Sequence, residues 1–170
     1  QHATTAGCLD ALDQLQSNGC GFANVADVGT GTGLLAFAAL ALWPQARCIA
    51  TDIDSVAVGV SRDNAALNGV KLGHGEGELL LAVADGMDSP MLAARAPFDL
   101  IIANILAGPL IGLAEDFAKA LAPGGTIILA GLLDSEADAV ARAYEAQSVK
   151  LHEKGTGEWP VLVLKGSFQE

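Results

Sequence analysis

The hydrophobic pattern of the chain is a series of short apolar runs, each of which ends in glycine or in an acidic or amide side chain. The first run, 23–28, leads into a glycine-rich turn, and further runs occupy 47–51, 78–84, 98–103 and 126–130. Stretches with helical spacing separate them, and strands that alternate with helices form right-handed parallel crossovers. The fourth run is apolar throughout, which is typical of a strand buried on both faces of a sheet. The pattern predicts an α/β fold with a doubly wound, mostly parallel sheet.

Leucines and end signals predict the first three helices. Leu9, Leu12 and Leu15 mark one face of an N-terminal helix, at whose start Thr4 or Thr5 acts as a cap. The residues that predict the other helix ends are caps and breakers: Gly19 after the first helix, Pro44 after the helix over 34–43, Asp54 before the third helix and Asn68-Gly69 after it.

The helix after the fourth strand is predicted to begin at Pro109, because proline suits the first helical position. Its inward side chains share apolar character and helical spacing: Leu110, Leu113, Phe117 and Leu121. The sequence PGG at 123–125 predicts its end. Further along, Ser135 with Asp138 resembles a capping box for the last helix.

The last part of the sequence contains two extended runs, 148–154 and 159–165, which a glycine loop at 155–157 joins. So short a connection predicts a hairpin, and the final strand is therefore expected to lie antiparallel in an otherwise parallel sheet. Trp159 begins the second run. A role for it in the core or on an edge strand is favoured over stacking on a ligand.

The bulk composition restricts the classes of function. At 170 residues the chain fits one domain with a sizeable core. Its formal charge of −11 argues against direct binding to nucleic acid and suits a basic partner, although an acidic surface also simply promotes solubility. The longest apolar run, 34–43, is about half of the roughly 20 residues that span a membrane, and no signal sequence leads the chain.

The three cysteines, Cys8, Cys20 and Cys48, are odd in number and widely spaced. This fits neither a disulfide framework nor a zinc site, so we predict no metal and interpret the cysteines as buried, reduced thiols of a cytoplasmic protein. Because position 1 is not Met, the sequence is expected to be part of a longer chain.

The glycine-rich turn after the first run predicts a cofactor site. Its glycines are Gly29, Gly31 and Gly33, with Asp27 two residues ahead of the first. A dinucleotide fingerprint has its third glycine one residue later, so the spacing disfavours NAD. It is the form expected for a ligand with a ribose and an adenine but no pyrophosphate. The helix that follows directs free backbone N–H groups toward such a ligand.

Polar side chains follow the next three strands at the same edge of the predicted sheet, where ligands bind in doubly wound folds. Asp52 is suited to accept hydrogen bonds from both ribose hydroxyls, and Asp85 to accept one from an adenine amino group. Asn104 ends an apolar strand, where an amide needs a partner. It is a candidate both to contact the cofactor and to hold an amine in line with a reactive methyl group. A structural hydrogen bond from Asn104 to the following loop is the alternative.

Several motifs resemble those of S-adenosylmethionine-dependent methyltransferases, and specifically those of the PrmA family. They are DVGTGTG at 27–33, DID at 52–54, NAALNG at 64–69, ANILAGPL at 103–110, PGG at 123–125, HATT at 2–5 and EW at 158–159. The resemblance covers essentially the whole chain. These motifs differ in how specific they are. Many methyltransferases share the glycine loop, whereas HATT and ANILAGPL are quite specific.

The resemblance implies a Rossmann-like methyltransferase fold with a seven-stranded sheet, and S-adenosylmethionine as the cofactor. It places cofactor contacts at Thr5, Gly29, Asp52 and Asn104. It also implies methylation of lysine or N-terminal amines of a large-subunit ribosomal protein, which is basic. The family's N-terminal substrate-recognition domain is expected to be absent from this single catalytic domain, 1–170.

The expected mechanism is direct attack of an amine on the sulfonium methyl group, without a metal or a covalent enzyme intermediate. Asn104 orients the amine, whose proton goes to water, because no His–carboxylate pair follows a strand; His152 is expected at the surface. Alternatives are a methyltransferase for another protein or a small molecule, or a non-catalytic cofactor-binding module. A monomer is the default expectation.

Overall fold

The computed structural model describes the backbone of residues 2–168 and the side chains of residues 4–168. The helices of this part of the chain are α1 (His2–Ser17), α2 (Leu34–Leu42), α3 (Ser55–Leu67), α4 (Pro90–Arg95), α5 (Ala107–Gly112), α6 (Ala114–Ala120) and α7 (Ala137–Glu145). The strands are β1 (Asn24–Val28), β2 (Arg47–Asp52), β3 (Leu79–Val83), β4 (Phe98–Asn104), β5 (Leu121–Ala130), β6 (Val149–Lys154) and β7 (Leu162–Gly166).

The strands form one sheet in the order β3-β2-β1-β4-β5-β7-β6. Strands β1 to β5 are parallel to one another, whereas β7 is antiparallel to both β5 and β6. The chain reverses its direction across the sheet between β1 and β4, and this switch point is where doubly wound folds bind ligands. The predicted α/β fold and its antiparallel last strand are confirmed.

Helices cover both faces of the sheet. In β4, Leu100 and Ile102 belong to a core cluster with residues of α1 and α2, while Ile101 and Ala103 belong to a second cluster with residues of α4 to α7. The alternation follows because successive side chains of a strand point to opposite faces. All four side chains are fully buried, as the apolar sequence of this strand predicts.

The sequence predicts the N-terminal cap of α3 correctly but not that of α1. α1 already includes Thr4 and Thr5 in its first turn, so the prediction that one of them precedes the helix as its cap is wrong. Thr4 is buried against the protein instead. Asp54 does cap α3, since its Oδ1 accepts a hydrogen bond from the backbone N of Val56 at 2.9 Å.

The helix predicted from Pro109 is wrong at both ends. It begins two residues earlier, at Ala107, and breaks after Gly112, so that α5 and α6 are separate helices with Leu113 between them. Glycine has a weak helix propensity, which favours a break at this point.

Leu121 belongs to β5 rather than to the preceding helix. It pairs with Phe98, and the register then shifts, so that Thr126 is the next paired residue of β5, opposite Leu100. The sequence PGG at 123–125 therefore forms an irregularity inside a strand and does not end a helix. Proline has no N–H to donate, and such irregularities are among the few places where a sheet tolerates it.

The start of α7 also differs from the prediction. Ser135 lies in a 3-10 turn, in which Oε1 of Glu136 accepts a hydrogen bond from the backbone N of Leu133 at 2.8 Å. α7 begins at Ala137 without a side-chain cap, so the proposed capping box of Ser135 and Asp138 is wrong. The 3-10 turn leads directly into the helix and leaves no separate cap position.

The cysteines are free thiols, of which Cys8 and Cys48 are buried and Cys20 is half-buried. Burial raises the pKa of the Cys8 thiol to about 12, so it remains protonated at neutral pH. None of the described helices has the length and apolar character that crossing a membrane requires.

Candidate functional site

A cleft of about 970 Å³ opens at the carboxyl ends of the parallel strands. Six of the seven site residues predicted from the sequence line it: Thr5, Gly29, Gly31, Asp52, Asp85 and Asn104. Gly33 is the exception, because it is buried and is not among the lining residues. The fold thus brings together residues from α1 and from four separate strand ends. Pockets for small ligands reach this size at the upper end of their range.

The three glycines of the turn have different roles. All have positive φ angles, 77° at Gly29, 59° at Gly31 and 88° at Gly33, which favour glycine. A Cβ at Gly29 would lie 2.5 Å from Ile105 Cγ2, and one at Gly33 would lie 2.7 Å from Phe37 Cζ. A Cβ at Gly31 would meet nothing within 4 Å. Gly31 is therefore the position at which a ligand can approach the backbone closely.

Hydrogen bonds fix the peptide groups around Gly31. Its backbone N donates to Asp52 Oδ2 at 2.9 Å, and its carbonyl accepts from Ser61 Oγ at 2.7 Å. The next carbonyl, of Thr32, accepts from Asn64 Nδ2 at 3.0 Å. Helix α3 thus holds the turn from one side while the carboxylate after β2 holds it from the other.

Ser61 is a functional candidate that the sequence analysis missed. Its side chain is fully buried, and it lies on the same face of α3 as the buried Val58 and Ala65. A hydroxyl in an otherwise apolar helix stripe needs a buried partner. That polar position in the stripe was the available signal, although it does not identify the partner.

Asp52 is oriented by two backbone groups. Besides the Gly31 bond, its Oδ1 accepts from the backbone N of Asp54 at 3.0 Å. Each carboxylate oxygen can accept a second hydrogen bond, so the group remains able to bind hydroxyls in the cleft. The neighbouring Ile53 also lines the cleft, with 67% of its surface exposed. An apolar side chain in this position offers a surface to an aromatic ring.

A second carboxylate, Asp27, lies buried beneath the turn. Its Oδ2 accepts a hydrogen bond from Thr30 Oγ1 at 2.7 Å, while its Oδ1 is buried without a partner. Burial raises the pKa of Asp27 to about 6, an effect to which the charge of Asp52 adds and which the Thr30 hydrogen bond opposes. Asp27 does not line the cleft. Its role is therefore to shape the turn.

Asn104 and Asp85 both line the cleft. Within the described residues, the Asn104 side chain makes no hydrogen bond, so the structural bond to the following loop that the sequence left open is not present. Asp85 is exposed, and its backbone carbonyl accepts from the N of Asp88 at 3.0 Å. Both side chains are available to a ligand.

Trp159 lines the cleft from the connection between β6 and β7, which we call the β6–β7 loop (residues 155–161). The prediction of a core or edge-strand role for Trp159 is wrong, because β7 begins only at Leu162 and 41% of the Trp159 surface is exposed. Pro160 cannot extend a strand ladder through its nitrogen, which accounts for the longer loop. Trp43, in contrast, is buried and packs against Phe22.

The histidines do not contribute described side chains to the cleft. His152 is exposed on β6, as expected, and His74 is exposed in the loop before β3. The side chain of His2 lies outside the described residues. Across the described part of the chain, no three His, Cys, Asp or Glu residues are grouped to hold a metal ion.

The strand order, the glycine turn after β1 and the acid after β2 define the Rossmann-like fold of S-adenosylmethionine-dependent methyltransferases. The solved structure of the N-methyltransferase NodS from Bradyrhizobium japonicum, in complex with S-adenosyl-L-homocysteine, shares this fold. It is 15% identical, with a TM-score of 0.70 over 93% of this chain and 85% of that one. At this identity the likeness shows the fold alone.

The sequence comparisons identify one family within this class of methyltransferases. The model of the family described as ribosomal protein L11 methyltransferase (PrmA) matches residues 1–167. This chain belongs to that family. It is 44% identical to the ribosomal protein L11 methyltransferase of Brucella suis over 168 residues, which are 96% of this chain and 55% of that protein. The relative from Rhodopseudomonas palustris is also 44% identical, over 98% of this chain and 55% of that protein.

A solved structure supports the same assignment. The crystal structure of ribosomal protein L11 methylase from Lactobacillus delbrueckii subsp. bulgaricus is 29% identical, with a TM-score of 0.83. It covers 98% of this chain, and this chain covers 80% of it. The chain spans about half the length of the curated relatives it matches.

Proposed function

We propose that this chain binds S-adenosylmethionine in the cleft and transfers its methyl group to lysine or N-terminal amines of ribosomal protein L11. The observation that carries the proposal is the meeting of Gly31, Asp52 and Asn104 in one cleft. Gly31 leaves the backbone open to a ligand, Asp52 provides an oriented carboxylate, and Asn104 provides an amide without a side-chain hydrogen bond to the described residues. Membership of the PrmA family supplies the substrate.

The residues of the cleft fit the cofactor. The open side of Gly31 leaves room for a ligand at the turn, and the carboxylate of Asp52 can accept hydrogen bonds from ribose hydroxyls. Ile53 provides apolar surface beside it for the adenine ring, and Asp85 can accept from the adenine amino group. Thr5 closes the cleft from α1.

Bound S-adenosylmethionine supplies an electrophilic methyl group on a sulfonium. The protein's task is then to orient the acceptor, and orientation alone is worth roughly 7–11 kcal/mol. The carbonyl oxygen of Asn104 can accept a hydrogen bond from the acceptor amine, and its NH₂ can donate to the cofactor. Asn104 is the catalytic residue in this proposal.

The acceptor must be a neutral amine when it attacks. A lysine with a pKa near 10.4 gives up its proton at a cost of about 4–5 kcal/mol at pH 7. No histidine lines the cleft among the described residues, so the proton passes to water. The Asn104 carbonyl oxygen can only accept a hydrogen bond, so the substrate amine donates an N–H to it. The lone pair of the amine nitrogen then remains free to attack the methyl group.

The acceptor side of the cleft suits the stem of a lysine. Trp159, Leu106 and Pro109 offer apolar surface at its mouth, where 69% of Leu106 is exposed. Aspartates and glutamates outnumber lysines and arginines by 20 to 9, which attracts a basic protein and repels nucleic acid. We propose a monomer that acts in the cytoplasm.

The test measures cofactor binding and methyl transfer separately. Titration calorimetry gives the affinity for S-adenosylmethionine, and transfer of labelled methyl groups to purified L11 gives turnover. Asn104→Ala should reduce turnover about a hundredfold or more, since the acceptor loses its orienting contact. Asn18→Ala, in the exposed turn after α1, is the control. Unchanged turnover in Asn104→Ala contradicts the catalytic role, and faster transfer to another protein than to L11 contradicts the substrate.

A further inference from the structure

The β6–β7 loop meets α1 at Gly7. A Cβ built on Gly7 would lie 2.7 Å from Cγ2 of Val161, closer than side-chain carbons pack. Glycine within a helix lowers its stability relative to alanine, so its presence in the second turn of α1 calls for a packing reason. The close approach of Val161 is that reason.

Val161 is two residues from Trp159 and is itself buried, in the same core cluster as Cys8 and Leu12 of α1. Two backbone hydrogen bonds hold the rest of the loop. The N of Gly155 donates to the carbonyl of Val161 at 2.8 Å across the neck of the loop.

The other bond anchors the loop next to the tryptophan. The N of Asp134 donates to the carbonyl of Glu158 at 2.8 Å. An ion pair between Lys154 Nζ and Asp134 Oδ1, at 2.9 Å, ties the end of β6 to the same point. Trp159 therefore lies between an anchor on the 3-10 turn and an anchor on α1.

We propose that Gly7 is a positioning residue for the acceptor amine, because the missing Cβ lets α1 pack against Val161 and thereby sets the place of Trp159 in the cleft. This inference rests on the proposed function. Gly7 touches neither substrate nor cofactor, and acts only through Val161 and Trp159.

A methyl group at position 7 displaces the loop rather than the helix. The neighbours of Gly7 on the inner face of α1, Cys8 and Leu12, are fully buried and fix the helix. Residues 155–159 of the loop are all exposed, and the two backbone hydrogen bonds described above hold them rather than buried side chains, so the loop moves at lower cost than the helix. Thr5 consequently keeps its place, and the cofactor side of the cleft is unaffected.

The experiment compares Gly7→Ala with Gly59→Ala, a second helix glycine, at which a Cβ meets nothing within 4 Å. In Gly7→Ala we expect the KM for the L11 acceptor to rise about threefold, the loss of part of one exposed aromatic contact. Cofactor affinity should stay within twofold. Acrylamide should quench the tryptophan fluorescence of Gly7→Ala differently from that of the parent, since Trp43 is only 7% exposed and contributes little to the change.

Two double variants make the result specific. Val161→Ala removes the Cγ2 that meets the new methyl group, so Gly7→Ala/Val161→Ala should recover the KM of Val161→Ala alone. In a Trp159→Ala background, Gly7→Ala should raise KM no further, because the residue it positions is gone. If Gly7→Ala alone folds poorly, the comparison of Val161→Ala with Gly7→Ala/Val161→Ala still tests the proposal.

An unchanged KM and unchanged quenching in folded Gly7→Ala overturn the proposal. A raised KM that persists in the Val161 pair, or that adds to Trp159→Ala, overturns it too. If the parent protein methylates another protein faster than L11, the proposed function has failed instead. The quenching measurement then still decides whether Gly7 sets the position of Trp159.

Discussion

The two sides of the cleft are built in opposite ways. On the side of the glycine turn, Gly31 is held by hydrogen bonds to both Asp52 and Ser61, and the next carbonyl is held by Asn64. On the side of Asn104 and Trp159, the described residues provide no side-chain hydrogen bond to either group, and both are accessible. One side is complete before any ligand binds, and the other is not.

The difference follows from what each side is proposed to bind. A cofactor of constant shape is bound most tightly by groups that are already oriented, because no freedom is lost on binding. A protein substrate brings its own backbone and side chains and can complete the other side. Variants on the two sides should therefore separate cofactor affinity from acceptor KM.

The largest effect is expected for Asp52→Ala. It removes a charged acceptor for the ribose and also frees the N–H of Gly31. Charged hydrogen bonds are worth about 1.5–3 kcal/mol each, so the affinity for S-adenosylmethionine should fall by about a hundredfold or more. Titration calorimetry measures this directly.

The matched control is Asp54→Ala, two residues away. Asp54 caps α3 and accepts its hydrogen bond from Val56, so its loss should cost about 1 kcal/mol of unfolding free energy while cofactor affinity stays within about threefold. Equal losses of affinity in both variants would show that Asp52 acts through helix stability.

A pH effect is expected from Asp27, beneath the turn. Its folded-state pKa of about 6 lies above the ordinary 3.8, so the folded protein binds the extra proton and loses stability as the pH rises through 6. Between pH 5 and 7.5 the loss from this group is about 1.4 kcal/mol. Urea unfolding should show this fall in the parent and not in Asp27→Asn. Asp10→Asn, which removes an exposed carboxylate, is the charge-matched control.

Ser61→Ala should weaken cofactor binding by about fivefold, the equivalent of one hydrogen bond of about 1 kcal/mol. The carbonyl of Gly31 loses its donor, and α3 then holds the turn only through the Asn64 hydrogen bond to the carbonyl of Thr32. The acceptor KM should not change, which separate titrations of cofactor and L11 in the transfer assay can determine. Ser55→Ala, at the exposed start of the same helix, should leave both constants unaltered.

An effect no larger than that of Ser61→Ala is expected on the open side. Trp159→Ala should raise the acceptor KM by about fivefold, since an exposed aromatic contact to a cationic or alkyl group is worth up to about 1 kcal/mol. Cofactor affinity should be unchanged, and Trp159→Phe should retain most of the parent KM. A loss of cofactor affinity in Trp159→Ala would contradict the division between the two sides.

The cofactor side was largely predictable from the sequence, because parallel strands bring their carboxyl ends to one edge. Gly31, Asp52 and Asp85 come from the ends of different strands and meet in the cleft for that reason. What the sequence did not reveal is the partner of each group. Ser61 is one polar residue in an apolar stripe, and only the packing of α3 on the turn brings it to the carbonyl of Gly31.

The acceptor side was predicted less well, because its elements depend on competition between local signals. Trp159 and Val161 have strand-forming side chains, yet Pro160 between them lies outside β7. Leu121 fits a helix face and nevertheless pairs with Phe98 in β5. In the first place a proline interrupts the strand preference of its neighbours, and in the second tertiary pairing overrides the local helix preference.

The position of β7 between β5 and β6 has a consequence for synthesis of the protein. Strand β6 leaves the ribosome first, but its neighbour in the sheet is β7, which follows eight or more residues later. Until β7 is translated and inserted against β5, β6 has no hydrogen-bonding strand, and the β6–β7 loop has no fixed ends. A nascent chain that stops short of residue 162 should accordingly be cut by protease within 149–154, while β1 to β4 are already protected.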